Sequence, residues 1–214
     1  MMLFLSLAIS IAAGLALVWA CWPAQKKLTD FLLTKICLGI GAGIGVSSLF
    51  FFIWSGMGGY RLGVFSLMAG EILLLVFIVG LSVYTARTGP AVAVSPHPAV
   101  MTTNRLLGRV LALAAGIGCA GAMLTFFFKA SLEPHGGWDA WAIWNMKARF
   151  FFRGPAIWNT IFSGNELRWA NLDYPLLLPG YIARCWHYAR LDTLTAPITT
   201  AFLFTFAAAG LLYA

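Results

Sequence analysis

The sequence predicts an all-α, polytopic transmembrane helical bundle of about five spans, with an extracytoplasmic loop that contains an interfacial amphipathic helix. Composition, the length of the apolar runs and the placement of cations predict it. Hydrophobic residues make up 61% of the chain and charged residues 10%, with a mean hydropathy of +0.85, far outside the soluble globular range. Runs of about 20 apolar residues, enough to cross roughly 30 Å of hydrocarbon, occur at Met2 to Cys21, Ile36 to Ser55, Leu62 to Ala86 and Val110 to Phe128. A fifth begins near Thr193 and is still running at Ala214. No polar flank closes it, so the reading expects a truncated fifth span over 193–214.

The first run has a rival reading as a secretory signal. No Lys or Arg precedes it, the bulky Trp19 suits cleavage badly, and it is longer than a usual signal core, so a true span is expected. Cys21, Cys37, Cys119 and Cys185 are isolated and give neither a metal spacing nor a disulfide framework. They read as small apolar packers. No paired-acid metal motif is present, and no cofactor is expected.

Orientation follows from the cations of the short connections. Lys26, Lys27 and Lys35 follow the first span, Arg87, Arg105 and Arg109 follow the third, and Arg61 stands alone after the second. That asymmetry places the first and third connections in the cytoplasm. The chain then divides into four spans over 1–129, an extracytoplasmic catalytic-type loop over 130–192 and the last span. The net charge of +7 belongs mostly to the cytoplasmic connections and calls for no nucleic-acid partner. Within the connection 87–109, GPAVAVSPHPAV reads as a flexible linker, and His97 between two prolines reads as solvated.

Polar chemistry is gathered in the loop. Five of the seven acids (Glu133, Asp139, Glu166, Asp173, Asp192) and six of the nine tryptophans lie there, a density that a plain connection would not need. At about 100° per residue, Trp141, Trp144, Ala148, Phe151 and Phe152 fall on one face of a helix. Asp139, Ala142, Met146, Arg149 and Arg153 form a stripe on another. This is the pattern of a helix lying in the membrane interface, with Asp139 near its positive end. About 15 Å of helical rise separates Asp139 from Arg149, so the two could bracket a ligand. The bland account is that Asp139 caps the helix and the arginines touch lipid phosphates.

The order WDAW, KARFFFRG and LDYPLLLPGY, after a span and on the outer side, resembles the first luminal or periplasmic loop of the polytopic GT-C glycosyltransferases. That superfamily includes protein mannosyltransferases and lipid A aminoarabinose transferases. The resemblance covers Glu133 to about Tyr188, roughly a quarter of the chain. Three spans come before the one that leads into the loop, where many members have a single span. It implies transfer of a sugar from a polyprenyl-phosphate donor to an extracytoplasmic acceptor, in a bacterial inner-membrane setting. Asp139 matches the early acidic position as general base, with Asp173 and Glu133 as further catalytic candidates. Arg149 matches the Ala-Arg position and Asp173, Tyr174 and Pro175 the Tyr-Pro motif. Lys147, Arg149 and Arg153 are the candidates for phosphate. Trp138 and Trp141 could stack on a sugar, although interfacial anchoring is the commoner role of such residues. Expected partners are the lipid-linked donor, membrane lipids, and a C-terminal half or partner subunit.

Two features inside the spans have structural readings. Glu71, with no second acid in a neighbouring span, reads as a protonated or hydrogen-bonded interhelical contact. GIGAGIG, Gly39 to Gly45, lacks GxGxxG and reads as close helix packing. The alternative to an enzyme is a non-catalytic membrane protein, either a transporter piece or a structural subunit, or else an inactive fragment of a transferase. A transporter would place polar groups along several spans.

Overall fold

The computed structural model describes residues 2–22, 31–88, 105–157, 159, 169, 171 and 173–213. Lys26, Lys27, His97, Glu166 and most of the expected linker lie outside the described residues.

Five long apolar helices form an all-α polytopic bundle: α1 (Met2–Cys21), α2 (Leu32–Gly56), α4 (Val64–Thr88), α5 (Arg105–Leu132) and α8 (Thr195–Tyr213). Each is long and apolar enough to cross a membrane, and the chain is an integral membrane protein. A one-turn helix, α3 (Gly59–Leu62), joins α2 to α4 between Gly58 and Gly63, both at positive φ. After α5 come a π-helical stretch (Ala140–Asn145), α6 (Met146–Arg153) and α7 (Leu177–Ala189).

The pair α1 and α2 is the tightest contact, and small residues make it so. A Cβ on Gly14 would overlap the Gly39 carbonyl and the Gly43 backbone, and one on Gly43 would overlap the Ser10 carbonyl. Gly41 and Gly45 face open space. Only the i, i+4 pair Gly39 and Gly43 therefore packs, as expected for small-xxx-small contacts in lipid. At one end of this pair Lys35 is buried beside the rings of Trp19 and Trp22, 5.5 and 5.7 Å from their centroids.

The other end holds a helix that the span pattern did not predict. α7 is 13 residues long, too short to span, and it is packed into the bundle where α1 starts, α2 ends and α4 and α8 start. Tyr181, Ala183, Arg184 and Cys185 are fully buried. Ser48 of α2 donates to the Leu177 carbonyl at 2.6 Å. A Cβ on Gly180 would overlap the Phe52 ring, so glycine lets α7 lie directly on α2.

α7 also brings the partner of Glu71. The Arg184 guanidinium donates to both Glu71 oxygens, by Nη2 to Oε2 at 2.7 Å and by Nε to Oε1. The Tyr188 hydroxyl donates to Oε2, and Arg184 Nη2 also reaches the Ser6 carbonyl at 3.0 Å. Glu71 is the interhelical contact that the sequence suggests, but its partner is a cation from the segment after the fourth span. The spans also carry a buried Ser10–Ser47 hydrogen bond of 2.7 Å.

α4 and α5 keep wide apolar surfaces exposed, including Leu73, Val76 and Phe77 on the first and Leu113, Ile117 and Leu124 on the second. Such patches would be a liability in water and are the surface that a lipid-facing helix presents.

Candidate functional site

The loop after α5 is built to fold back. Glu133 closes the helix through a backbone bond to the Lys129 carbonyl at 2.8 Å, and Gly136 takes φ 77° in the reversal. A Cβ on Gly136 would overlap Ala140, so glycine is required at this turn. The chain is helical again at Trp138 and at once widens into the π-helical stretch. Such wide turns recur at functional sites. Here it buries Ala142, Ile143 and Asn145, and Asn145 Nδ2 reaches back to the His135 carbonyl at 3.4 Å, bracing the loop.

Between this loop, α5, α7 and α8 lies a cleft of about 410 Å³, within the usual size of small-molecule sites. Its walls are apolar: Phe126 from α5, Leu178 and Ile182 from α7, Ile198 and Phe204 from α8. Apart from Thr200 of α8, whose hydroxyl donates to the Ala196 carbonyl, its polar groups are Lys129, Glu133, His135 and Asn145, on the α5 end and the loop. Lys129 and Glu133 form an i, i+4 pair at 3.7 Å with both side chains about half exposed or more. Exposed pairs of this kind contribute only about 0–1 kcal/mol, so either charge can be diverted to a ligand at little cost.

The single amphipathic helix expected from 100° spacing is interrupted. The π turn shifts the register, so that Ala142, on the expected polar stripe, is fully buried, while Ala148 and Phe151 are buried farther on. Phe151 meets Phe52 edge-on at 5.1 Å and Phe152 meets Trp186 at 6.0 Å. The Phe151 and Phe152 end of this face therefore packs on α2 and α7, whereas Trp141 at its start is exposed. The outward aromatics are Trp138 and Trp141, both exposed, with ring centroids 4.8 Å apart.

Of the sequence candidates, Glu133 is on the cleft wall. Asp139 is exposed, does not line the cleft, and makes no side-chain capping bond, so the capping account loses its interaction. Arg153 is exposed at the end of α6. Arg149 meets a different acid. It pairs with Asp192 at 3.2 Å and lies 5.7 Å from the centroid of the Trp186 ring, tying α6 to the turn between α7 and α8.

Lys147 is fully buried and donates to the Asn171 carbonyl, with the rings of Trp144 and Tyr174 5.9 and 5.5 Å away. Those two rings stack at 5.7 Å. Burial pulls the Lys147 ammonium below the usual lysine range, against the opposing pull of the exposed Asp173. Lys147, Asp173 and Tyr174 are thus brought together, as a cluster behind the cleft residue Trp144 and not as an open phosphate site.

Lys129, His135 and Asn145 are not among the residues that the sequence singles out. The usable signal was the Pro-His-Gly-Gly reversal directly after a charged helix end. Among the described residues, no group of three His, Cys, Asp or Glu side chains is arranged to hold a metal ion. No family model, curated protein or solved structure matches this chain.

Proposed function

We propose that this chain is a membrane glycosyltransferase that takes a sugar from a polyprenyl-phosphate donor, and that the cleft beside Glu133 is its donor site, on the extracytoplasmic side. The observation that carries the reading is the amphiphilic form of the cleft. Its apolar walls on α7 and α8 suit an isoprenoid tail, and a loosely paired cation and carboxylate lie where a phosphate-linked sugar would follow. The chemistry asks little of the protein. The bond from the sugar's anomeric carbon to phosphate oxygen breaks, the phosphate leaves as an anion beside Lys129, and the acceptor hydroxyl bonds to the same carbon. Its proton passes to Glu133. His135 and Asn145 hold the loop that carries Glu133. The assignment moves the base from Asp139, which is off the cleft, to Glu133.

The test uses the protein in proteoliposomes with a radiolabelled polyprenyl-phosphate sugar. Glu133→Gln should lower transfer by roughly 10² or more, Lys129→Gln should raise the donor KM, and Asp139→Asn should transfer nearly as wild type. Transfer by Glu133→Gln at the wild-type rate, or none by the wild type, overturns the reading. Sidedness is tested by an impermeant maleimide on Ser131→Cys in a cysteine-free background. Labelling in intact cells is expected, and labelling only after lysis removes the extracytoplasmic assignment.

A further inference from the structure

A second cleft, of about 650 Å³, shares no residue with the first. Its walls are Leu3 and Phe4 from the first turns of α1 and Phe65 and Met68 from α4. Its rim is the turn from α7 into α8, with Arg190, Thr193 and Thr195.

Two observations on this rim point to an anion. The Arg190 guanidinium is exposed and rests 5.6 Å from the centroid of the Phe65 ring, without an ion-pair partner among the described residues. Thr195 begins the 19-residue α8, so the positive end of that helix is at the same rim. The nearest acid in sequence, Asp192, is occupied by Arg149, and Glu71 is occupied by Arg184.

The backbone adds a third. Arg190 closes α7 in the left-handed region, at φ 57°. Glycine is the usual residue at this place, and a side chain there is strained. A strained residue that keeps a long cationic side chain is a pointer to function.

We propose that this cleft binds one anionic phospholipid of the surrounding bilayer. The headgroup phosphate is held by Arg190 beside the start of α8, and an acyl chain lies in the slot between the starts of α1 and α4. Arg190 supplies the planar fork that suits phosphate, and the apolar slot selects a tailed ligand over a free ion. The proposal does not depend on the transferase reading, since it uses none of the residues of the first cleft.

Native mass spectrometry of the detergent-solubilised protein tests it, with dioleoylphosphatidylglycerol titrated as the ligand and dioleoylglycerol and inorganic phosphate as separate probes. One phosphatidylglycerol per chain is expected on the wild type. Binding should weaken about tenfold or more in Arg190→Gln, and less in Arg190→Lys than in Arg190→Gln. Arg190→Gly relieves the backbone while removing the guanidinium, so it should keep or raise the melting temperature and still lose the lipid. Equal binding by wild type and Arg190→Gly overturns the proposal. So does retention of dioleoylglycerol as strong as that of phosphatidylglycerol, which would mean apolar filling alone. Displacement of the lipid by inorganic phosphate would make this a free-anion site and overturn it equally.

Discussion

Arg184 of α7 and Glu71 of α4, 113 residues apart in sequence, form a two-pronged ion pair in which neither side chain is more than 2% exposed. Taking two charges out of water is expensive, and the two-pronged geometry, with Tyr188 donating a further bond to Glu71 and the Ser6 carbonyl accepting one from Arg184, offsets much of that cost, while Arg184 Nη1 has no partner among the described residues. The pair fixes α7 at a set depth and rotation, and α7 in turn supplies Leu178 and Ile182 to the first cleft.

Removing one partner leaves the other charge buried and unpaired, which typically costs about 3–5 kcal/mol. Glu71→Met and Arg184→Met should therefore each lower the thermal unfolding midpoint in detergent sharply. The double variant Glu71→Met with Arg184→Met should recover most of the loss, since an apolar pair of similar volume is often neutral. Additive losses would mean that the two residues are not coupled.

The glycine contact gives a comparison within one helix. Gly43→Ala would drive a methyl group into the Ser10 backbone, whereas Gly41→Ala meets nothing within 4 Å. The first should destabilise by about 1–3 kcal/mol or more. The second should be neutral or stabilising by about 0.5–1 kcal/mol, from helix propensity. Equal melting temperatures for the two variants would show that α1 and α2 do not meet at Gly43.

His187, at the end of α7, is ringed by Phe51, Trp54, Tyr60 and Phe152 at centroid distances of 5.5, 5.7, 5.2 and 5.1 Å. Its Nε2 has no hydrogen-bond partner among the described residues. Burial pushes the imidazole from 6.5 down to about 4, against a smaller opposing pull from a hydrogen bond to the Phe151 backbone. As pH falls from about 6.5 to 4, the unfolded chain takes up a proton that the folded chain refuses, so stability is lost across that window. At about 1.4 kcal/mol per unit the loss is on the order of 3 kcal/mol. The melting temperature of the wild type should fall between pH 6.5 and 4, and that of His187→Leu should fall less. Parallel curves for the two would place the acid sensitivity elsewhere.

The five spans were legible because each is a local property. A run such as Val64 to Thr88 must bury its backbone bonds within itself in lipid, so length and hydropathy define it before anything packs against it. The same holds for Gly39 to Gly45, where absent side chains announce a close approach, although which two glycines take part depends on the facing Gly14. The sequence by itself thus determined the membrane class, the span boundaries to within a few residues, and the gathering of polar chemistry after α5.

Tertiary structure decided the rest. The run from Leu177 to Ala189 is of a length that suits a buried or re-entrant helix, yet only Glu71, from a span more than 100 residues earlier, shows that Arg184 points into the bundle and not to water. The sequence ranks Asp139 ahead of Glu133 as the base, and what reverses the order is the cleft that the turn at Gly136 helps to wall, which Glu133 lines and Asp139 does not. A pattern read at 3.6 residues per turn cannot register the extra residue of the π turn, because that turn is held by contacts with the loop and α7 and not by the local sequence. Charge partners and cavity walls are relations between distant segments, and they come into being only when those segments pack.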